Sequence, residues 1–194
     1  MKSNSWGNLL FNPFNRIAGW QAFFIGLGIV ILSGIFGGLT NTWYTGLFDM
    51  STGALPFRSG FMMLGIDIAT IVVVMSLAAL IVAKDFRFID ILGTMTLARA
   101  PMIILPLLEL FLNADSAFHT SADPTSSPSV IILKILGYPI VLWHIVLIYN
   151  GLRTSANLNG AKLIVTAIIT IVISEMLSQY LVKTAIANLV VPYI

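Results

Sequence analysis

Six side chains able to carry a charge or a proton fall inside long apolar runs of this 194-residue chain: Asp67, Arg99, Glu109, Lys134, His144 and Glu175. A charge near the centre of a bilayer is costly and normally faces protein or water, so such residues mark an ion path, a proton relay or a structural ion pair. At a helix rise of about 1.5 Å per residue, Arg99 falls near the middle of its run, while Asp67, Glu109, Lys134 and Glu175 fall in the half nearer the outer face. Asp67, Arg99 and Glu175 form the candidate intramembrane polar cluster. Both carboxylates should lie about 5 Å above Arg99, within reach of a long guanidinium side chain, whereas Asp90 belongs at the inner interface. A functional reading makes this a polar cavity or relay open toward the outer face. The structural reading makes it a set of internal ion pairs, with Lys134 and Glu109 reaching the headgroups. The structural reading carries more weight, with Asp67 and Arg99 the pair most open to a functional role.

Other chemistry lacks its parts. The only histidine besides His144 is His119, which belongs to the opposite side, and a metal site needs several convergent ligands, so His144 is expected to pack or hydrogen-bond. The chain has no cysteine, hence no disulfide and no thiolate nucleophile. No phosphate loop, nucleophile elbow, paired-histidine zinc helix or dinucleotide turn is present, and no Ser or Asp stands at a telling distance from a histidine. The expectation is a protein without catalytic residues, metal or cofactor. Gly34 and Gly38 form a small-xxx-small pair that admits a second helix, either within the chain or in a homo-oligomer. Pro101, Pro106 and Pro139 should bend the runs that contain them and free backbone carbonyls.

The elements that must position these residues are membrane spans. With 58% hydrophobic residues, 9% charged and a mean hydropathy of +0.96, the chain has too little polar surface to face water on every side. A net charge of +2 from few charges gives no basic surface, which argues against nucleic acid as a partner. The apolar runs predict an all-α integral membrane protein, a bundle of five transmembrane helices at about 17–39, 61–82, 88–112, 130–149 and 161–182 in a single membrane domain. A short interfacial segment precedes them, with Asn12-Pro13 expected to cap the first helix. The first run is too long for a signal-peptide core and lacks a cleavage pattern, so it is expected to be retained. Lys2, Arg16, Lys84, Arg87, Arg153 and Lys162 then fall on one side against Arg58 and Lys183 on the other, which predicts an inside amino terminus and an outside carboxyl terminus. Trp20, Trp43, Tyr44, Trp143 and Tyr149 are expected at the interfaces. The outer loops are 40–60 and 113–129, the second irregular by its Ser, Asp, Pro and Thr content.

Two stretches add a resemblance: Phe86-Arg87-Phe88-Ile89-Asp90-Ile91-Leu92-Gly93 through Arg99-Ala100-Pro101, and Trp143 through Gly151-Leu152-Arg153 to Gly160-Ala161-Lys162. They resemble the Yip1 domain family, in which a charged inner loop enters a helix with an Arg-Ala-Pro-like centre and the penultimate span ends in a Trp and a Gly-Leu-basic turn. Asn12-Pro13-Phe14 before the first span is similar to prokaryotic members. The long amino-terminal region and acidic motif of eukaryotic members are missing, although Gly137-Tyr138 is similar to their Gly-Tyr element. The resemblance implies five spans, no catalytic residues, and a membrane-organising or partner-binding role in the bacterial inner membrane; some bacterial members resemble accessory subunits of export systems. The expected function is therefore non-enzymatic, through lateral contacts with other membrane proteins or with lipids of the bilayer. The competing expectation is a small permease, channel or lipid-moving protein that uses the polar cluster as its path. A carrier needs a water-accessible cavity that reaches those side chains, whereas an interaction protein can have them sealed in ion pairs.

Overall fold

A computed structural model of the chain describes residues 10–53, 55–83, 85–112 and 128–190. Its elements are helix α1 (Gly19–Leu39), strands β1 (Thr42–Tyr44) and β2 (Met50–Thr52), and helices α2 (Phe57–Val82), α3 (Phe88–Ala98), α4 (Ile104–Leu112), α5 (Pro128–Ser155) and α6 (Gly160–Val190). Five stretches are long and apolar enough to cross a membrane: α1, α2, the combined α3 and α4, α5 from Ile131, and α6 to Ala187. All five apolar runs read from the sequence are thus helical. Three boundaries move by four residues or more: α2 begins at Phe57 rather than Phe61, α5 continues to Ser155, and α6 continues to Val190.

The α3–α4 run is the centre of the bundle, with 67% of its apolar stretch buried against 28–39% for the other four. Glycine brings α1 against it. A Cβ on Gly26 would lie 2.6 Å from the backbone nitrogen of Leu97, and Gly93 faces the carbonyl of Gly19 at the other end of the same contact. Gly34 and Gly38 do pack a helix, but an internal one: the rings of Phe61 and Phe57 from α2 cover them. Thr166, Ala167, Thr170, Ser174, Ser178 and Val182 are buried along α6, whose opposite face, with Ile168, Ile169, Val172, Ile173, Met176 and Tyr180, is exposed and apolar. That two-faced pattern suits a helix with protein on one side and hydrocarbon on the other.

The 40–60 segment is not a surface loop. After Asn41, which takes a left-handed φ of 52°, the chain forms an antiparallel hairpin in which Thr42 pairs with Thr52, Trp43 with Ser51 and Tyr44 with Met50. Trp43, Tyr44 and Leu47 are buried, so Trp43 and Tyr44 are core residues rather than interface anchors. Non-helical backbone within a bundle is tolerated only where protein or a cavity receives it. Here Gly60 leaves room for the ring of Trp43, whose Nε1 donates to the carbonyl of Gly53 at 2.6 Å.

The amino-terminal segment also differs. Leu10 and Phe11 end a helical turn, Pro13–Asn15 is an isolated 3-10 turn, Asn12 makes no side-chain cap, and the first spanning helix starts only at Gly19 with Ala18 before it. Phe14 is buried against Gly151 and Met95, while Trp143 Nε1 and Asn150 Nδ2 donate to the carbonyls of Leu10 and Phe11 at 2.9 and 2.8 Å. The segment is therefore held along α5. Trp143 and Tyr149 lie well inside α5 rather than at its end, and Gly151-Leu152-Arg153 is helical, with the turn following at 156–159. Most of the 113–129 loop, including His119, lies outside the described residues.

Candidate functional site

The break in the third span builds the site. Pro101 has no N–H and helix α3 stops at Ala98; a 3-10 turn, Ala100–Ile103, intervenes before α4 resumes. Pro106, four residues after Met102, cannot donate to the Met102 carbonyl, which is left without its helical partner. The phenol of Tyr44 supplies one, donating to Met102 O at 2.7 Å. Its oxygen in turn accepts from the hydroxyl of Ser33 on α1 at 2.7 Å. A strand residue thus completes the backbone of a broken helix.

Arg99 sits at this break, and its Nη2 donates to Asp67 Oδ2 on α2 at 2.7 Å. The two side chains are 3% and 0% exposed. Ser178 on α6 donates to the other carboxylate oxygen, Oδ1. The face of Tyr44 covers the guanidinium, with Cζ 4.8 Å from the ring centroid, a geometry in which the ring quadrupole attracts the cation. Arg99 Nε and Nη1 have no hydrogen-bond partner among the described residues, which leaves the aromatic face as their cover. Four elements, α2, α3, α6 and β1, converge on one neutralised charge pair.

Glu175, the third member of the expected cluster, does not join Arg99. Its Oε2 accepts the backbone N–H groups of Leu47 and Phe48 at 2.7 and 3.3 Å, and its Oε1 accepts Gln179 Nε2 at 2.7 Å. The reason is the hairpin, whose turn carries N–H groups that no strand satisfies and that a carboxylate on α6 can bind. Gly46 makes the approach possible, since a Cβ there would meet Glu175 Oε1 at 2.8 Å. The cluster read from the sequence is two devices: an ion pair through Asp67 and Arg99, and a clamp on the hairpin tip through Glu175.

The other three residues separate as well. Glu109 is buried, contrary to the expectation that it reaches the headgroups, whereas Lys134 is exposed as expected. His144 is buried with its ring edge-on to Phe48 at 5.4 Å, a packing role, and no cluster of metal-ligating residues occurs among the described residues. A cavity of 660 Å³ lies beside the ion pair rather than on it, lined by Phe48–Thr52 of the hairpin, Leu105 of α4, and Leu133, Lys134, Gly137, Tyr138 and Val141 of α5. Ser178, Ser33 and Tyr44 were missed in the sequence. Ser178 had one signal, its place three residues after Glu175 on the same helical run. No family model matches the chain, and no curated protein or solved structure matches it either.

Proposed function

We propose that the chain is a non-enzymatic, multi-pass protein of Yip1 type in a bacterial inner membrane, acting through lateral contacts with other membrane proteins or lipids, as an accessory to an export system. The observation that supports this reading over a permease is the sealing of Asp67 and Arg99. Their side chains are 0% and 3% exposed, paired with each other, bonded by Ser178 and covered by the face of Tyr44, and the neighbouring cavity is lined by other residues. A carrier path needs its charges to meet water in turn on each side; these two meet each other. Exposed apolar faces on α1, α2, α5 and α6 are available for lateral contact.

Crosslinking in native membranes followed by affinity purification tests the reading. Recovery of a defined set of membrane partners, export components among them, is the expected result. Solute flux into proteoliposomes that depends on Asp67 and Arg99, without such partners, would replace it with the permease reading.

A further inference from the structure

The 660 Å³ cavity has walls of unlike character. On one side is β2 with the turn before it, and on the other the face of α5 formed by Leu133, Lys134, Gly137, Tyr138 and Val141. Phe48, Met50, Leu105, Leu133 and Val141 make the interior apolar. Two charges stand in it. Asp49 is fixed by its own turn, its Oδ1 accepting the backbone N–H of Met50 at 3.0 Å and its Oδ2 the hydroxyl of Thr45 at 3.3 Å. Lys134, across the cavity, is exposed and has no ion-pair partner among the described residues. The two opposite charges face one space and do not pair with each other.

The strand adds a polar edge. The bonds Gly53 N–H to Asn41 O and Thr45 N–H to Asp49 O fix which residues of the ladder bond across it, so the peptide groups of Met50 and Thr52, two residues of the cavity lining, point away from β1. Asp49 Oδ1 holds the Met50 N–H, which leaves the Met50 carbonyl and the peptide groups of Thr52 for a polar occupant. The mouth gives the occupant's origin. Tyr138 lines the cavity and also belongs, with Ile131, Ile135 and Leu142, to the exposed apolar stripe of α5. A ligand entering past Tyr138 comes from the lipid.

We propose that this cavity binds one zwitterionic phospholipid carrying a primary ammonium, with Lys134 on its phosphate, Asp49 on its ammonium and the apolar interior around the start of its acyl chains. The separated pair of protein charges complements a headgroup whose own two charges are separated, and the apolar lining excludes a free solute of the same charge pattern. A trimethylated ammonium offers Asp49 no N–H to accept, and a purely anionic headgroup leaves Asp49 opposed to like charge. This specifies one of the lateral contacts proposed above and rests on the chain lying in a bilayer.

Native mass spectrometry tests it, on the full chain released from nanodiscs of equal parts phosphatidylethanolamine, phosphatidylcholine and phosphatidylglycerol. One retained phosphatidylethanolamine is expected, preferred about tenfold over either competitor, the scale of one charge-assisted hydrogen bond. Asp49→Asn should abolish the preference over phosphatidylglycerol, and Lys134→Gln should lower retention of all three lipids about tenfold. Both side chains are exposed, so both variants should fold, and a monodisperse elution profile checks this. Equal retention of the three lipids, no retained lipid, or a preference untouched by both variants would overturn the site. Displacement of the lipid by soluble glycerophosphoethanolamine would overturn its lipid origin. Flotation of the same protein with vesicles reads bilayer residence separately: a protein that floats but shows no headgroup preference sinks the site alone.

Discussion

At the scale of single residues, what counts is whether a buried charge keeps its partner. Removing Arg99 leaves Asp67 buried with only Ser178, so Arg99→Ala should destabilise the bundle by about 3–5 kcal/mol, the usual cost of breaking a buried pair from one side. The measurement is thermal unfolding in detergent. Exchanging the pair, Asp67→Arg with Arg99→Asp, should recover part of the loss, while no recovery would show that the surrounding hydrogen bonds depend on which helix carries which charge. Tyr44→Phe is a finer probe. It strips the Met102 carbonyl of its donor and Ser33 of its acceptor while keeping the ring over Arg99, so a loss of about 1–3 kcal/mol with the ion pair intact is expected. Asp67 and Arg99 were legible from the sequence because a charge in an apolar run must find an opposite charge at its own depth. Glu175 was legible as an acid within an apolar run but not in its role, because its partners are backbone N–H groups, which every residue type carries.

At the scale of elements, long periodic features were readable and short ones were not. An apolar run of some twenty residues states its own length and state, which is why five helices stand where five runs were read. A hairpin with three residues to a strand has no such signal, and Trp43 and Tyr44 beside a span end look the same whether they anchor at an interface or enter the core. The glycines show the same limit. Gly34 and Gly38 announce a close approach without naming the partner, which proves to be α2, whereas the tightest backbone contact uses Gly26 and Gly93. Gly26→Ala should therefore cost more than Gly28→Ala: the first adds a Cβ 2.6 Å from the backbone of Leu97 and the second meets nothing within 4 Å. Overpacking typically costs about 1–3 kcal/mol, and comparing the two midpoints in thermal melts isolates it.

At the scale of the whole molecule, basic residues and the hairpin lie at opposite ends. Arg16, Arg87, Arg153 and Lys162 flank one set of helix ends, and the hairpin with its cavity lies toward the other. If the basic end faces the cytoplasm, single cysteines in this cysteine-free chain at Ser51 and Asn159, both exposed, should react with an impermeant maleimide from opposite sides of sealed vesicles. Labelling of both from the same side would contradict the alternation of the five helices.

The clamp on the hairpin tip has a consequence in time. Leu47 and Phe48 are bonded to a residue 128 and 127 positions later in the chain, so the tip is made long before its acceptor. At roughly 5–20 residues per second, on the order of ten seconds of synthesis separate the two. For that interval β1 and β2 have no Glu175 to close on, and the last helix acts as the latch on an element near the start. A nascent chain arrested before residue 175 should leave a cysteine at Leu47 open to thiol reagents, and one arrested after α6 has entered the bundle should protect it. Equal protection in both would mean that the hairpin closes on the first helices alone.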